Sequence, residues 1–162
     1  MNFFRDERGI AVLYTTLLIP TFLILLAFVV ELGSLRMMRA RLVSAADIAA
    51  TAATTEQDRA ALAATGRYEI AASAADVARE LLAQELRPLA PLLAPGHSPD
   101  EVASGADVAV LRAGAYDPAS ARRYDAPTVR IAFTVPVRTP LLVLGGLRDA
   151  TELRILAAAS AR

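Results

Sequence analysis

The residue types able to do chemistry are sparse in this chain of 162 amino acids, and their spacing decides what they can do. His97, the single histidine, stands beside Ser98 and Asp100. These are the residue types of a nucleophile, base and orienting acid, but a triad needs a geometry that near-adjacent loop residues rarely supply. Pro95-Gly96-His97-Ser98-Pro99 is turn chemistry, so the expectation there is a solvated surface loop. Tyr116-Asp117-Pro118 and Tyr124-Asp125-Ala126 form a faint repeat that reads as two turns with no binding role. No phosphate loop, metal quartet or nucleophile–base pair is present in the sequence, so the reading is non-enzymatic, with no catalytic, cofactor-binding or metal residue. The chain has no cysteine, which excludes disulfides, thiolate nucleophiles and cysteine metal sites. Formal charge is zero and every cation other than the histidine is an arginine, so no basic surface suggests nucleic acid. No small-molecule substrate is evident either.

The remaining charged candidates lie along one segment. Ile10 to Val30 is a run of 21 residues without a charge, about 31 Å as a helix and so matched to the roughly 30 Å core of a bilayer. It is longer than the apolar region of a secretory signal, and Glu31-Leu32-Gly33-Ser34 offers no small-x-small cleavage pattern. Glu31 closes the run and is expected at the interface, in reach of water, with a subunit-pairing role as the alternative. Arg36, Arg39 and Arg41 follow; they suit anionic headgroups, a partner helix, or a solvated face. Pro20 interrupts the run, with Thr15, Thr16 and Thr21 available to satisfy the freed carbonyl.

No strong breaker stops the helix at the membrane surface. Leu35, Met38, Leu42, Ala45, Ala49 and Ala52 continue at steps of three and four, which predicts one helix from about Ile10 to Ala53. Asp47 sits in its alanine-rich face, where small-residue spacing can mark a helix–helix contact. Residues 54–66 read as a turn or a new helix start. The spacing of Ile70, Ala74, Val77, Leu81, Leu82 and Leu86 predicts a helix over 68–86, ended by Pro88, Pro91 and Pro95. Thr128 to Val137 alternates as a half-buried strand, with Pro136 indicating an edge position or at least a strand end near it. Residues 107–112 and 152–158 are shorter strand candidates, and 141–147 is an apolar connection. The fold class is therefore α+β: a long N-terminal transmembrane helix continuing into an amphipathic helix, a second helix, and a small antiparallel sheet. The division is 1–9 leader, 10–32 transmembrane helix, and 33–162 α+β domain.

Gly9 before the apolar run, Pro20 within it, Glu31-Leu32-Gly33 at its exit, the arginine-rich turn and the helix around Ala45-Ala46-Asp47 together resemble the TadE/TadG-like proteins of tight-adherence (Flp-type) pilus assembly. The closing VRIAFTVPVRTPLLVLGGL and ELRILAAASAR resemble the β segment of such proteins. The resemblance implies a pilin-like fold and a structural role, as minor pilin or assembly component. Its partners would be membrane lipid, other pilin-like subunits and the assembly machinery. It implies a bacterial cell-membrane location, with a cytoplasmic leader and an extracytoplasmic domain. It also makes Gly9–Ile10 the candidate prepilin-type processing site, although Tyr14 stands where processed members carry glutamate. The D-x-S-x-S signature of the metal-binding domain found in longer members is missing. A membrane-anchored extracytoplasmic binding or sensor domain is the alternative reading.

Overall fold

The computed structural model describes residues 7–141 and 150–161, with backbone alone for 7–10. The connection expected at 141–147 therefore lies, beyond Leu141, outside the described residues, as does the leader up to Asp6. The expected first helix is a single element, α1 (Glu7–Ala53). At 47 residues it is roughly 70 Å long. Pro20 lies inside it. The threonine hydroxyls donate to the carbonyls of Ala11, Val12 and Leu17, at 2.8 Å each. None reaches the carbonyl of Thr16, which proline leaves without its amide. The reason is positional: a helical threonine bonds back about one turn, and these three sit at the wrong positions for residue 16.

After a turn at 54–55, α2 (Arg59–Thr65) is capped by Asp58, whose carboxylate accepts from the amides of Ala60 and Ala61, and ends on left-handed Gly66. The second expected helix is shorter than its spacing suggested: α3 is Ala74–Leu86. Residues 68–73 are not its first turns, because their backbone is engaged elsewhere. Ala71 donates to Glu56, Asp58 donates to Glu69, and Ile70 bridges Gln57. A 3₁₀ turn, Arg87–Leu92, carries Pro88 and Pro91. The expected loop at 95–99 leads directly into a short helix, α4 (Pro99–Ser104), absent from the sequence reading.

The strands are β1 (Asp107–Leu111), β2 (Tyr116–Asp117), β3 (Arg122–Arg123), β4 (Thr128–Arg138) and β5 (Ala150–Ser160). Three form an antiparallel sheet in the order β1-β4-β5, and β2-β3 is a separate small hairpin. β4 pairs β5 over its whole length, from Thr128 opposite Ser160 to Arg138 opposite Ala150. β4 is thus the central strand and not an edge, while the strand end that Pro136 also indicated is present, two residues on at Arg138. The proline is tolerated because β1 pairs only as far as Ala132. Beyond that point β4 is locally an edge, and the Ala94 amide reaches the Pro136 carbonyl at 2.9 Å.

Val129, Ile131, Phe133, Val135 and Val137 form the buried face of β4. α1 packs chiefly along β5 and against α3, while α3 also packs on β1 and α4 lies over β4. The sheet is therefore roofed by two long helices and one short one, not by α1 alone. Leu42 of α1, Leu82 and Leu86 of α3, and Ile155 of β5 join the β4 face in one core.

On the other face, Arg130 is only 4% exposed although it occupies a solvent-side position of the strand. The segment between β1 and β4 covers it. Arg130 Nη2 lies 2.8 Å from the Asp107 carboxylate, and Nε lies 3.2 Å from Asp117, a contact of charge without hydrogen-bond geometry. Asp117 is itself 2% exposed and accepts from the amides of Ala119 and Ser120. Burial alone would push its carboxyl up; hydrogen bonds from Ser120 and Ala119 and the Arg130 charge outweigh that and hold it below the ordinary value.

Phe133→Ala should cost about 3–5 kcal/mol, whereas alanine at exposed Thr134 should cost about 0.5 kcal/mol or less, as read from melts of the detergent-solubilised chain. Equal tolerance would mean that the buried face is misassigned. Asp117→Asn should cost about 3 kcal/mol near neutral pH, the low end for a broken buried pair because Arg130 keeps Asp107. The sign with pH follows from the lowered carboxyl. Its stabilisation is present above the unfolded value of about 3.9 and is lost as pH falls through the folded one. Acid titration of stability should therefore be shallower in the Asn variant than in the wild type.

Candidate functional site

Between Ala11 and Val30, no side chain is buried by the rest of the chain, and only Ala27 is even half-buried. This half of α1 is long and apolar enough to cross a membrane. A core helix of a soluble domain would pass the same length test but would be covered by its own protein. Gly9 and Ile10 lie in the first turns of this helix, and Tyr14, at the position where the resemblance implies a glutamate, is exposed among the apolar side chains.

The transition comes at Glu31, which is 3% exposed. Its expected position in reach of water is not what the structure shows. Glu31 begins the stripe that continues through Leu35, Met38, Leu42, Ala46, Ala49 and Ala53, all buried except half-buried Leu35. That stripe is the face turned toward the folded domain, so helical phase carries the carboxylate inward with it.

Arg36, Arg39 and Arg41 are exposed, and among the described residues none has an ion pair. Asp47 is also exposed. It faces away from the alanine stripe, not into it, and Ile48 beside it is 49% exposed. The structure thus separates the candidates: Glu31 on the domain-facing stripe, Asp47 and the arginines on the outward faces of the same rod.

His97, Ser98 and Asp100 do not converge on a reacting group. Ser98 caps α4, accepting from the Glu101 amide at 3.2 Å while Glu101 accepts from the Ser98 amide. Asp100 lies 3.9 Å from Arg87. Sequence reasoning missed the Arg130–Asp117 lock. The only signal was an arginine at a polar position of a strand and an aspartate in a turn, neither of which specifies the other.

Residues 9–56 match the family described as Flp pilus-assembly TadE/G-like. The match takes in the exposed apolar half of α1, Glu31, the arginines and the alanine stripe. It covers less than a third of the chain. No curated protein and no solved structure matches the chain. Over residues 9–56 the chain is similar to the TadE/G-like family of pilus assembly, and the one helix among the described residues that is long and apolar enough to cross a membrane lies largely within that stretch.

Proposed function

We propose that the protein is a minor pilin or pilin-like component of a tight-adherence pilus, acting by helix packing and protein–protein contact. The observation that carries the reading is the division of α1 within the matched module: one half bare and apolar, the other half docked into a folded domain. A bare apolar half needs lipid or an apolar bundle of other helices. Gly33 supports an intermolecular role. A glycine in a helix interior is about 1 kcal/mol less favourable than alanine. Here a methyl group would meet nothing within 4 Å, so the protein's own packing does not require it. Close approach by another helix would.

The alternative, an anchored binding or sensor domain, is favoured by one feature. A cleft of about 410 Å³ lies between residues 67–72 and the end of β1, with Arg67, Tyr68 and Arg112 in its wall. The filament reading is preferred because that cleft lies outside the matched residues, whereas the bare helix lies inside them.

In this reading the leader is cytoplasmic and the domain extracytoplasmic. Protease added to intact spheroplasts should digest the α+β domain, and full protection would reverse the orientation. The chain has no cysteine, so a single one at exposed Ile24 is a clean cross-linking probe in native membranes. It should trap other pilin-like subunits; trapping none, while a purified domain retains a small ligand, would favour the alternative. The intact mass of the trapped species reads processing at Gly9–Ile10. Chains beginning at Ile10 support filament incorporation, and chains retaining Met1 confine the protein to an assembly role in the membrane.

A further inference from the structure

Where α1 leaves the apolar run, the margin of its domain-facing stripe meets the end of β4 in a cleft of about 230 Å³. The cleft is lined by Ser34, Met37, Met38 and Arg41 of α1, Leu92, and Val137 and Arg138. We propose that it is a site for the headgroup of an anionic phospholipid, with Arg41 and Arg138 holding the phosphate. The site rests on the membrane span but not on pilus assembly.

The charge is one-sided. Neither guanidinium has an ion pair among the described residues, and no carboxylate is among the lining residues. Glu31 is the nearest acid before Arg41 on α1. It lies ten residues below, about 15 Å along the axis, and is closed into the domain-facing stripe. A guanidinium fork matches phosphate oxygens, and two of them without an acid between them make an anion site rather than a salt-bridge network.

The remaining lining is apolar where a soluble domain would be polar. Met37 is 61% exposed, and Leu92 is exposed as well. Both are apolar surface beside the two arginines that a bound lipid would cover.

The height also fits. If the apolar run fills the hydrocarbon, its boundary is at Val30, and the polar headgroup zone extends roughly 5–8 Å beyond it. Ser34 lies about 6 Å past that boundary and Arg41 about 16 Å past it. Long side chains on a helix lean toward its N-terminus, here back toward the bilayer, so the Arg41 head reaches down toward the phosphate plane. Arg138 faces it from the sheet. A lipid seated there would bridge α1 and β4 and fix the domain against the bilayer surface.

The test uses the full chain in a neutral detergent, titrated with phosphatidylglycerol, with phosphatidylcholine of the same acyl length, and with inorganic phosphate alone. Bound lipid is read by native mass spectrometry and by the shift in melting temperature. Phosphatidylglycerol should be retained in preference to phosphatidylcholine. Arg41→Gln with Arg138→Gln should lower that preference about thirtyfold, since each surface cation is worth about a tenfold factor or somewhat less. Arg36→Gln with Arg39→Gln removes the same charge outside the cleft and should leave most of the preference intact. Equal loss in the two double variants would mean diffuse attraction and would overturn the site. Stabilisation by inorganic phosphate alone would overturn the lipid and leave a soluble-anion site. Insertion is read separately by flotation with neutral vesicles: a chain that fails to float loses the span and the site together. All four arginines are exposed, so loss of folding is not expected, and the unliganded melting temperature of each variant checks it.

Discussion

The uninterrupted backbone of α1 is the constraint on which the other features depend. The helix is a lipid-facing element and a core element at once, and nothing between Val30 and Leu42 allows those roles to be decoupled. Its packed half is built largely from alanine: Ala46, Ala49, Ala50 and Ala53 are fully buried, and so are Ala74 and Ala78 on α3, which packs against it. Alanine buries little area, so its contribution is distance. Small side chains let helix axes approach closely, after which the large side chains at the margins, Leu42, Leu82, Leu86, Ile131 and Ile155, fill the space over the sheet. The area-based stabilisation comes from those residues, while the alanines set the geometry in which they meet.

The polar lock at the other face of the sheet has a comparable logic. β4 needs its Val129 to Val137 face for the helices, so its alternate side chains point outward by the period of the strand. Arg130 would be solvated there if the segment between β1 and β4 did not fold over it. Asp117, held by the amides at the start of its turn, brings the compensating charge. A buried pair of this kind is a weak source of net stability, but loss of one partner is costly, which makes it a device for fixing one arrangement of a long connection.

Periodicity made much of this legible in the sequence, and what it missed has identifiable causes. The 3.6-residue pattern of α1 and the alternation of β4 are set by burial of one side, so the pattern and the structure share a cause. Residues 68–73 carry part of a helical spacing through Ile70 and Ala74, yet the Gln57–Ile70 bridge claims their backbone; a long-range pairing overrode a local one. The helix α4 was legible in principle, because Ser98-Pro99-Asp100-Glu101 is a capping box with proline in its first turn, but the glycine and prolines around it read first as loop. Glu31 shows a different limit. Hydropathy placed it at the end of the apolar run, which is correct along the axis; only the phase of the packed stripe, continued back from Met38, shows that it turns inward.

The energetics of the bare half of α1 bear on how such a molecule works. Fourteen large apolar or aromatic side chains between Val12 and Val30 stand exposed. Covering them is worth on the order of 20 kcal/mol, more than the 5–15 kcal/mol that holds a typical folded domain together. The domain therefore cannot dictate where the helix resides; an apolar environment does. Lipid tails and leucine side chains are nearly equivalent as that environment, so exchanging lipid for neighbouring apolar helices changes the hydrophobic term little. The choice between bilayer and bundle then falls to smaller terms, such as close approach at Gly33 and contacts of the outward arginines. On the proposed filament reading, these are energies that an assembly machine could supply or withdraw, which is the condition for storing a subunit in a membrane and drawing it out.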